Sequence, residues 1–345
     1  MAGAEVAYPL SHNLHIDSDG CGVPVTTTME KTAFVFAGGG SLGAIEVGML
    51  RELVSWGVAP DMVIGASAGA INGAYFACNP HAEGMVKLES LWRSITRAEV
   101  LPWSWRSMLG MIMGNRGHLV ESRGLKQLLS RHFGEARVED AALPLHVVAT
   151  DMHTGAEVVL SSGSLVSAVL ASAAIPGVFP PVEMDGRKLI DGGVANNTPV
   201  STAVRLGATR IIVLPAGFAC AERRPPRGAM EHAFNALSLL VARQLVHDLE
   251  RWGDRAHIAV VPPLCPLDIS PYDYSQCGVL IDRAAAATVA WLRADGLSSR
   301  RVPGALTPHE HDAENPSCSA DIGLPPGGAS HAHHGHDHSS HGGVH

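Results

Sequence analysis

A glycine-flanked serine, Gly65-Ala66-Ser67-Ala68-Gly69, lies between the apolar run Met62-Val63-Ile64 and a stretch of small residues at helical spacing, Ala70, Gly73, Ala74 and Ala77. A strand that passes at once into a helix, with a serine on the turn, is the setting of a nucleophile elbow, which lifts the hydroxyl above the sheet. The flanking glycines permit the strained angles and close approaches such a turn requires. The following helix N-terminus favours negative charge beside the serine. The bland alternative is a tight turn with an idle serine, since this pentapeptide is common.

A second signal is Gly38-Gly39-Gly40-Ser41-Leu42-Gly43, directly after the apolar run Ala33–Ala37. Unpaired N–H groups at such a junction can hold an oxyanion or a phosphate. The same residues spell G-x-G-x-x-G, the dinucleotide fingerprint, with Asp61 following Gly40 by 21 positions. In that fold the ribose-binding acid sits at the carboxyl end of the second strand. Asp61 precedes the second strand and is expected at the opposite edge of the sheet, so the dinucleotide reading is set aside.

The third signal is Asp191-Gly192-Gly193, after the short strand Lys188-Leu189-Ile190 and before Asn196-Asn197. An aspartate at the carboxyl end of a parallel strand faces the functional edge of an open α/β sheet, although a turn is the commoner fate of Asp-Gly. Taken together, a donor loop, a nucleophile and a carboxylate all fall at predicted strand ends, which is what acyl transfer requires.

Short apolar runs alternate with helical patterns from Thr32 to about Gly296. That alternation predicts an α/β class, a three-layer αβα sandwich with a mostly parallel central sheet in a single domain. Further strands are expected at Leu145–Ala149, Glu157–Leu160 (paired with a neighbour across Thr154-Gly155), Arg210–Leu214 and Ile258–Val261. Helices are expected at Leu42–Trp56, from Thr198-Pro199 to Leu206, at Glu231–Trp252 and at Val279–Arg293. The stripe Phe234, Leu237, Leu240, Val241, Leu245 and Leu249 reads as core packing. Residues 1–31 read as a flexible leader, 32–296 as the folded domain, and 297–345 as a disordered, His-rich tail.

The chain has 345 residues, 46% hydrophobic and 17% charged, which supports a sizeable core and excludes a wholly disordered protein. Its 25 Lys+Arg against 33 Asp+Glu give a net charge of −8, a poor match to nucleic-acid backbones. No apolar run reaches the roughly 18 residues needed to span a bilayer, and no secretory signal is visible. Six scattered cysteines, none in C-x-x-C spacing, read as reduced thiols. A cytoplasmic enzyme that touches membranes peripherally follows from these features.

The three motifs, in this order, resemble the patatin-like phospholipase family. The resemblance extends to Ala149-Thr150-Asp151 with Thr154-Gly155, and to the run from Ala171 to Pro181. It covers residues 32–215 clearly and continues weakly to about 296. It implies hydrolysis of acyl esters of lipids at a transient membrane or micelle surface, with no metal and no cofactor. It implies Ser67 as nucleophile and Asp191 as its base, a dyad without histidine, and the amides of Gly38, Gly39 and Gly40 as oxyanion hole. Gly43, Gly65, Gly69, Gly192 and Gly193 are the motif glycines.

Two other functions stay open at this point. One is an α/β-hydrolase with a Ser-His-Asp triad, drawing on His232, His247 or His257. Against it, that fold places several strands before its serine, whereas Ser67 follows the second. The other is a catalytically silent lipid- or metal-binding protein. In the tail, His331, His333, His334, His336 and His338 could hold Zn²⁺ or Ni²⁺ weakly, though a solvated tail is the simpler reading. The Trp- and Met-rich stretch 101–113 reads as a buried helix or a cap over the acyl site, and Arg223, Arg224 and Arg227 as a solvated basic loop.

Overall fold

The computed structural model describes residues 30–100, 120, 122–217, 229–267, 269–306 and 322–323. The 101–113 stretch, the Arg223–Arg227 loop and the histidines from His331 onward lie outside these residues. Eight segments become the strands of one sheet, the seven expected ones and the short β5, which no apolar run marks: β1 (Thr32–Phe36), β2 (Met62–Ala66), β3 (Leu145–Asp151), β4 (Glu157–Leu160), β5 (Val182–Met184), β6 (Arg187–Asp191), β7 (Arg210–Leu214) and β8 (His257–Val260). The helices are α1 (Gly43–Ser55), α2 (Ala68–Cys78), α3 (Ala82–Ser94), α4 (Arg97–Val100), α5 (Arg123–Phe133), α6 (Leu165–Ser172), α7 (Gly193–Asn196), α8 (Val200–Arg205), α9 (Ala229–Trp252) and α10 (Cys277–Arg293).

The strands β3, β2, β1, β7 and β8 run parallel in that spatial order. Side chains alternate across a strand, and β1 shows where they go. Phe34 and Phe36 enter a large cluster with residues of α1, α2, α6 and α10, while Ala33 and Val35 enter a second one with α8 and α9. Both faces are covered, which is why the strands read as unbroken apolar runs. Each large side chain buried there contributes about 1.5–3 kcal/mol.

The sheet is mixed at one side. β6 was expected to run parallel, and it pairs antiparallel with β3, as does β4. Val147 and Val148 pair with both β2 and β4, whereas Ala149 and Thr150 pair with both β4 and β6. β4 therefore lines one edge of β3, and β2 and β6 share the other edge end to end, pointing at each other. Local pattern cannot show this, because strand direction depends on which partner the chain returns to.

Three other expectations need correction. Residues 297–306 are ordered: Val302 and Leu306 are buried in the second cluster, and Arg301–Val302 pairs antiparallel with Ile322–Gly323. Polar composition there conceals two apolar anchors. Cys265 is disulfide-bonded, while Cys78 and Cys277 are free, because cysteines distant in sequence meet only on folding. Finally, the stripe of α9 is not buried along its whole length. Leu245 and Leu249 are buried, but Leu237 and Leu240 are exposed.

Candidate active site

Ser67 caps β2 and opens α2 with φ 53° and ψ −120°. A non-glycine residue in this region is strained, and such strain is held where the surroundings over-determine it. The surroundings do so here. The Ser67 N–H donates to Ser172 Oγ at 2.9 Å, and the Ser172 hydroxyl donates onward to Val148 O at 2.5 Å. Gly69, the second residue of α2, must be glycine, since a Cβ would lie 2.6 Å from the Phe36 and Ala37 carbonyl oxygens.

Asp191 ends β6, opposite the end of β2, and the head-on strands bring the two side chains together. The Ser67 hydroxyl donates to Asp191 Oδ2 at 2.6 Å, buried from solvent. The other carboxylate oxygen accepts the Gly193 N–H at 2.7 Å. Thr150 Oγ1 donates to the Asp191 carbonyl at 2.8 Å and accepts the Ala195 N–H at 3.1 Å. Gly192 lies against the Val148 carbonyl, and its N–H donates to Ser172 O. Burial pushes the Asp191 carboxyl up to about 6, partly offset by the hydrogen bonds from Ser67 and Gly193. An aspartate raised this far is a better base than a solvated one, yet still mostly ionised at neutral pH.

The glycine loop crosses above this pair. The Gly38 N–H donates to Asn197 O at 3.0 Å, and Asn197 Nδ2 donates back to Gly38 O at 3.2 Å. The Gly38 amide, expected in the oxyanion hole, is thus engaged within the protein. The Gly39 and Gly40 amides have no hydrogen-bond partner among the described residues. A Cβ on Gly38 would meet the Asn197 Oδ1 and approach Ser67 Cβ to 3.1 Å. The Ser41 N–H donates to Pro271 O at 2.8 Å, which ties the loop to the segment before α10. Gly65 packs on the Gly69 backbone, and Gly43 faces Trp92 and Ala68.

Residues 34–204 match the profile of the family described as Patatin-like phospholipase. These residues belong to the patatin-like phospholipase family. The chain is 33% identical over 197 residues to patatin-like phospholipase domain-containing protein 7 of Mus musculus, covering 55% of this chain and 14% of that protein. It is 28% identical over 193 residues to Neuropathy target esterase sws of Drosophila melanogaster, covering 55% and 13%. An uncharacterized NTE family protein, MT2641, of Mycobacterium tuberculosis is 31% identical over 194 residues, covering 56% and 31%. The chain thus spans less than a third of each of these relatives. The crystal structure of VipD from Legionella pneumophila aligns over 77% of this chain and 67% of its own at 14% identity and a TM-score of 0.43, a likeness too loose to inform the site.

Beside Ser67 the family domain opens an apolar cleft, lined by Ile71, Leu91, Trp92, Leu128, Ile175 and Phe179 among others. Gly40, Tyr272 and Tyr274 complete its rim, and no Asp, Glu, Lys, Arg or His lines it among the described residues. Burial and the Asp191 charge push the Tyr272 phenol up to about 12, so it remains a hydrogen-bond donor. No sequence motif marks Tyr272, which comes from the far end of the chain. Ser172, Thr150 and Asn197 lie in or beside recognisable motifs, but their supporting roles emerge only in three dimensions. A buried chain from Trp92 Nε1 to Asn72 Oδ1 and from Asn72 Nδ2 to Glu46 Oε2 braces the cleft from behind, each bond 2.7 Å. Burial holds the Glu46 carboxyl well above its ordinary range.

None of the histidines of the triad alternative hydrogen-bonds to Ser67 or Asp191 among the described residues. His257 opens β8 at the amino edge, with Nε2 facing Ser298 O, and His232 and His247 are exposed on α9. Asp61, of the dinucleotide alternative, accepts the Thr32 N–H at the amino edge. Among the described residues no cluster of His, Cys, Asp and Glu could hold a metal ion, and no helix is long and apolar enough to cross a membrane.

Proposed function

We propose that this protein hydrolyses carboxylic esters of lipids through a Ser67–Asp191 dyad. The observation that carries the reading is the 2.6 Å hydrogen bond from a strained serine to a buried carboxylate, with no imidazole between them. Asp191 accepts the hydroxyl proton as Ser67 Oγ attacks the ester carbonyl. The Gly39 and Gly40 amides, with the N-terminus of α2, stabilise the resulting oxyanion. As the tetrahedral intermediate collapses, the proton passes from Asp191 to the departing alcohol, and the acyl group stays on Ser67. Water then gives its proton to Asp191 and attacks the acyl-enzyme. The carboxylic acid leaves, and Ser67 recovers its proton.

The uncharged cleft suits an acyl chain, while a lipid headgroup stays towards solvent. Family membership and the names of the relatives point the same way. The unit that carries this chemistry begins near residue 32 and extends beyond the expected boundary at 296, because Val302 and Leu306 belong to its core. A fluorophosphonate probe tests the proposal. It labels the wild-type chain and leaves Ser67→Ala unlabelled. Absence of labelling in the folded wild-type protein would instead support a silent lipid binder.

A further inference from the structure

The long helix α9 holds 24 residues, about 36 Å at 1.5 Å per residue. The neighbouring strands β7 and β8 hold five and four, no more than about 17 Å. Both strands are parallel and α9 connects them, so it starts on the carboxyl-edge side and returns along the sheet. Among its described side chains the buried ones, Leu245 and Leu249, lie in the second half. The first half extends past the edge on which Ser67 stands. There Leu237, Leu239 and Leu240 are 52%, 51% and 65% exposed.

The overhang is tied to the catalytic rim. Gln244 Nε2 donates to Ala195 O at 3.3 Å, within α7, the helix that follows Asp191. Leu240 and Leu237 lie one and two turns before Gln244 on the same helix face. Val194, next to Ala195, is 55% exposed. From Ala233 to Ala242 the helix carries no charged residue, in a chain of net charge −8. Isolated exposed leucines are ordinary, but an uncharged apolar group at one rim is not.

We propose that the first half of α9, with Val194, is the surface by which the protein docks on a lipid bilayer. The inference rests on the lipid-hydrolase reading, since a bilayer laid against the carboxyl edge meets this group while its lipids face the cleft. Two observations favour a bilayer over a second copy of the chain. The four exposed aliphatic side chains present on the order of 400 Å² together, about half of what one partner contributes to a standard protein interface. Their lack of charge suits a zwitterionic lipid surface, where apolar side chains seat at the boundary between headgroups and acyl chains.

The test is the double variant Leu237→Ser/Leu240→Ser, with its fold checked by circular dichroism. Sedimentation with phosphatidylcholine vesicles measures docking, and turnover of a soluble short-chain p-nitrophenyl ester measures the site independently. The expected result is a fall of about tenfold or more in vesicle partitioning, with soluble-ester turnover within about twofold of wild type. Unchanged partitioning would overturn the proposal. So would light scattering that shows a wild-type dimer and a monomeric variant, because a second copy would then cover the leucines. If wild type partitions, the variant does not, and neither hydrolyses any ester, the docking surface stands and the hydrolase reading falls.

Discussion

Replacing Asp191 by asparagine should abolish turnover and at the same time stabilise the fold. The amide keeps the carboxylate's shape. Its oxygen can still accept the Gly193 N–H, and its NH₂ can donate to Ser67 Oγ, so packing is preserved. The proton acceptor is lost, and kcat should fall roughly 10³-fold or more. The stability term follows from linkage. The native carboxyl titrates at about 6 against 3.8 for an ordinary aspartate. The native state therefore binds protons more tightly than the unfolded state, and wild-type stability falls as pH rises from 3.8 to 6, then levels. At 1.36 kcal/mol per pKa unit, a difference of about 2.2 is worth about 3 kcal/mol. The introduced amide does not ionise, so Asp191→Asn escapes that loss. At pH 4 an unfolded aspartate is already more than half ionised, so between pH 4 and pH 8 the variant should gain about 2 kcal/mol on wild type, or roughly 4 °C in Tm at about 2 °C per kcal/mol. Glu46 titrates alike in both proteins and cancels in the comparison. Denaturant melts at the two pH values measure the term, and kcat/KM of wild type should climb through an acid limb near 6. A variant whose stability advantage is the same at pH 4 and pH 8 would show that Asp191 is not a desolvated carboxylate, and substantial turnover would show that it is not the base.

Two further outcomes separate positioning from chemistry. Thr150→Val is nearly isosteric but removes both the donor to Asp191 O and the acceptor for the Ala195 N–H. It should cost about 1–3 kcal/mol in denaturant melts and lower kcat with KM little changed; wild-type kcat in a destabilised variant would free Asp191 from this support. Alanine at His232, His247 or His257 should leave ester turnover within about twofold of wild type, since the Ser67 hydroxyl donates to Asp191 and no hydrogen bond among the described residues joins any of these histidines to either residue, and loss of nearly all turnover in any one would restore the triad.

The parts of this site that rest on local sequence were legible from it. A strand buried on both faces reads as an apolar run, and a serine that must sit at positive φ between strand and helix carries glycines around it. The sheet's pairing was not legible. Lys188-Leu189-Ile190 reads the same whether its strand runs parallel or antiparallel, and only the register through Ala149 and Thr150 places β6 head-on to β2. The periodicity of α9 records one apolar face, but not that the sheet ends halfway along it. Tyr272 is brought to the cleft beside Pro271, whose carbonyl is tied to the Ser41 N–H from the other end of the chain, a contact no local pattern encodes.

The glycine loop complements the serine elbow. In such an elbow one natural oxyanion donor is the amide of the residue after the nucleophile, here Ala68 at the start of α2, while Ser172 Oγ takes the N–H of Ser67 itself and holds the strained turn. In the proposed reaction further donors come from the neighbouring loop after β1. Gly38 is the anchor: its N–H and C=O are both bound by Asn197, and a side chain there would collide with that residue. Gly39 and Gly40 follow the anchor with amides unspent, and Gly40 reaches φ 60°, in the left-handed region, while Ser41 is fastened to Pro271. The loop is held at both ends and left unpaired in the middle, where the proposed reaction would place its developing negative charge beside donors that do not have to reorganise.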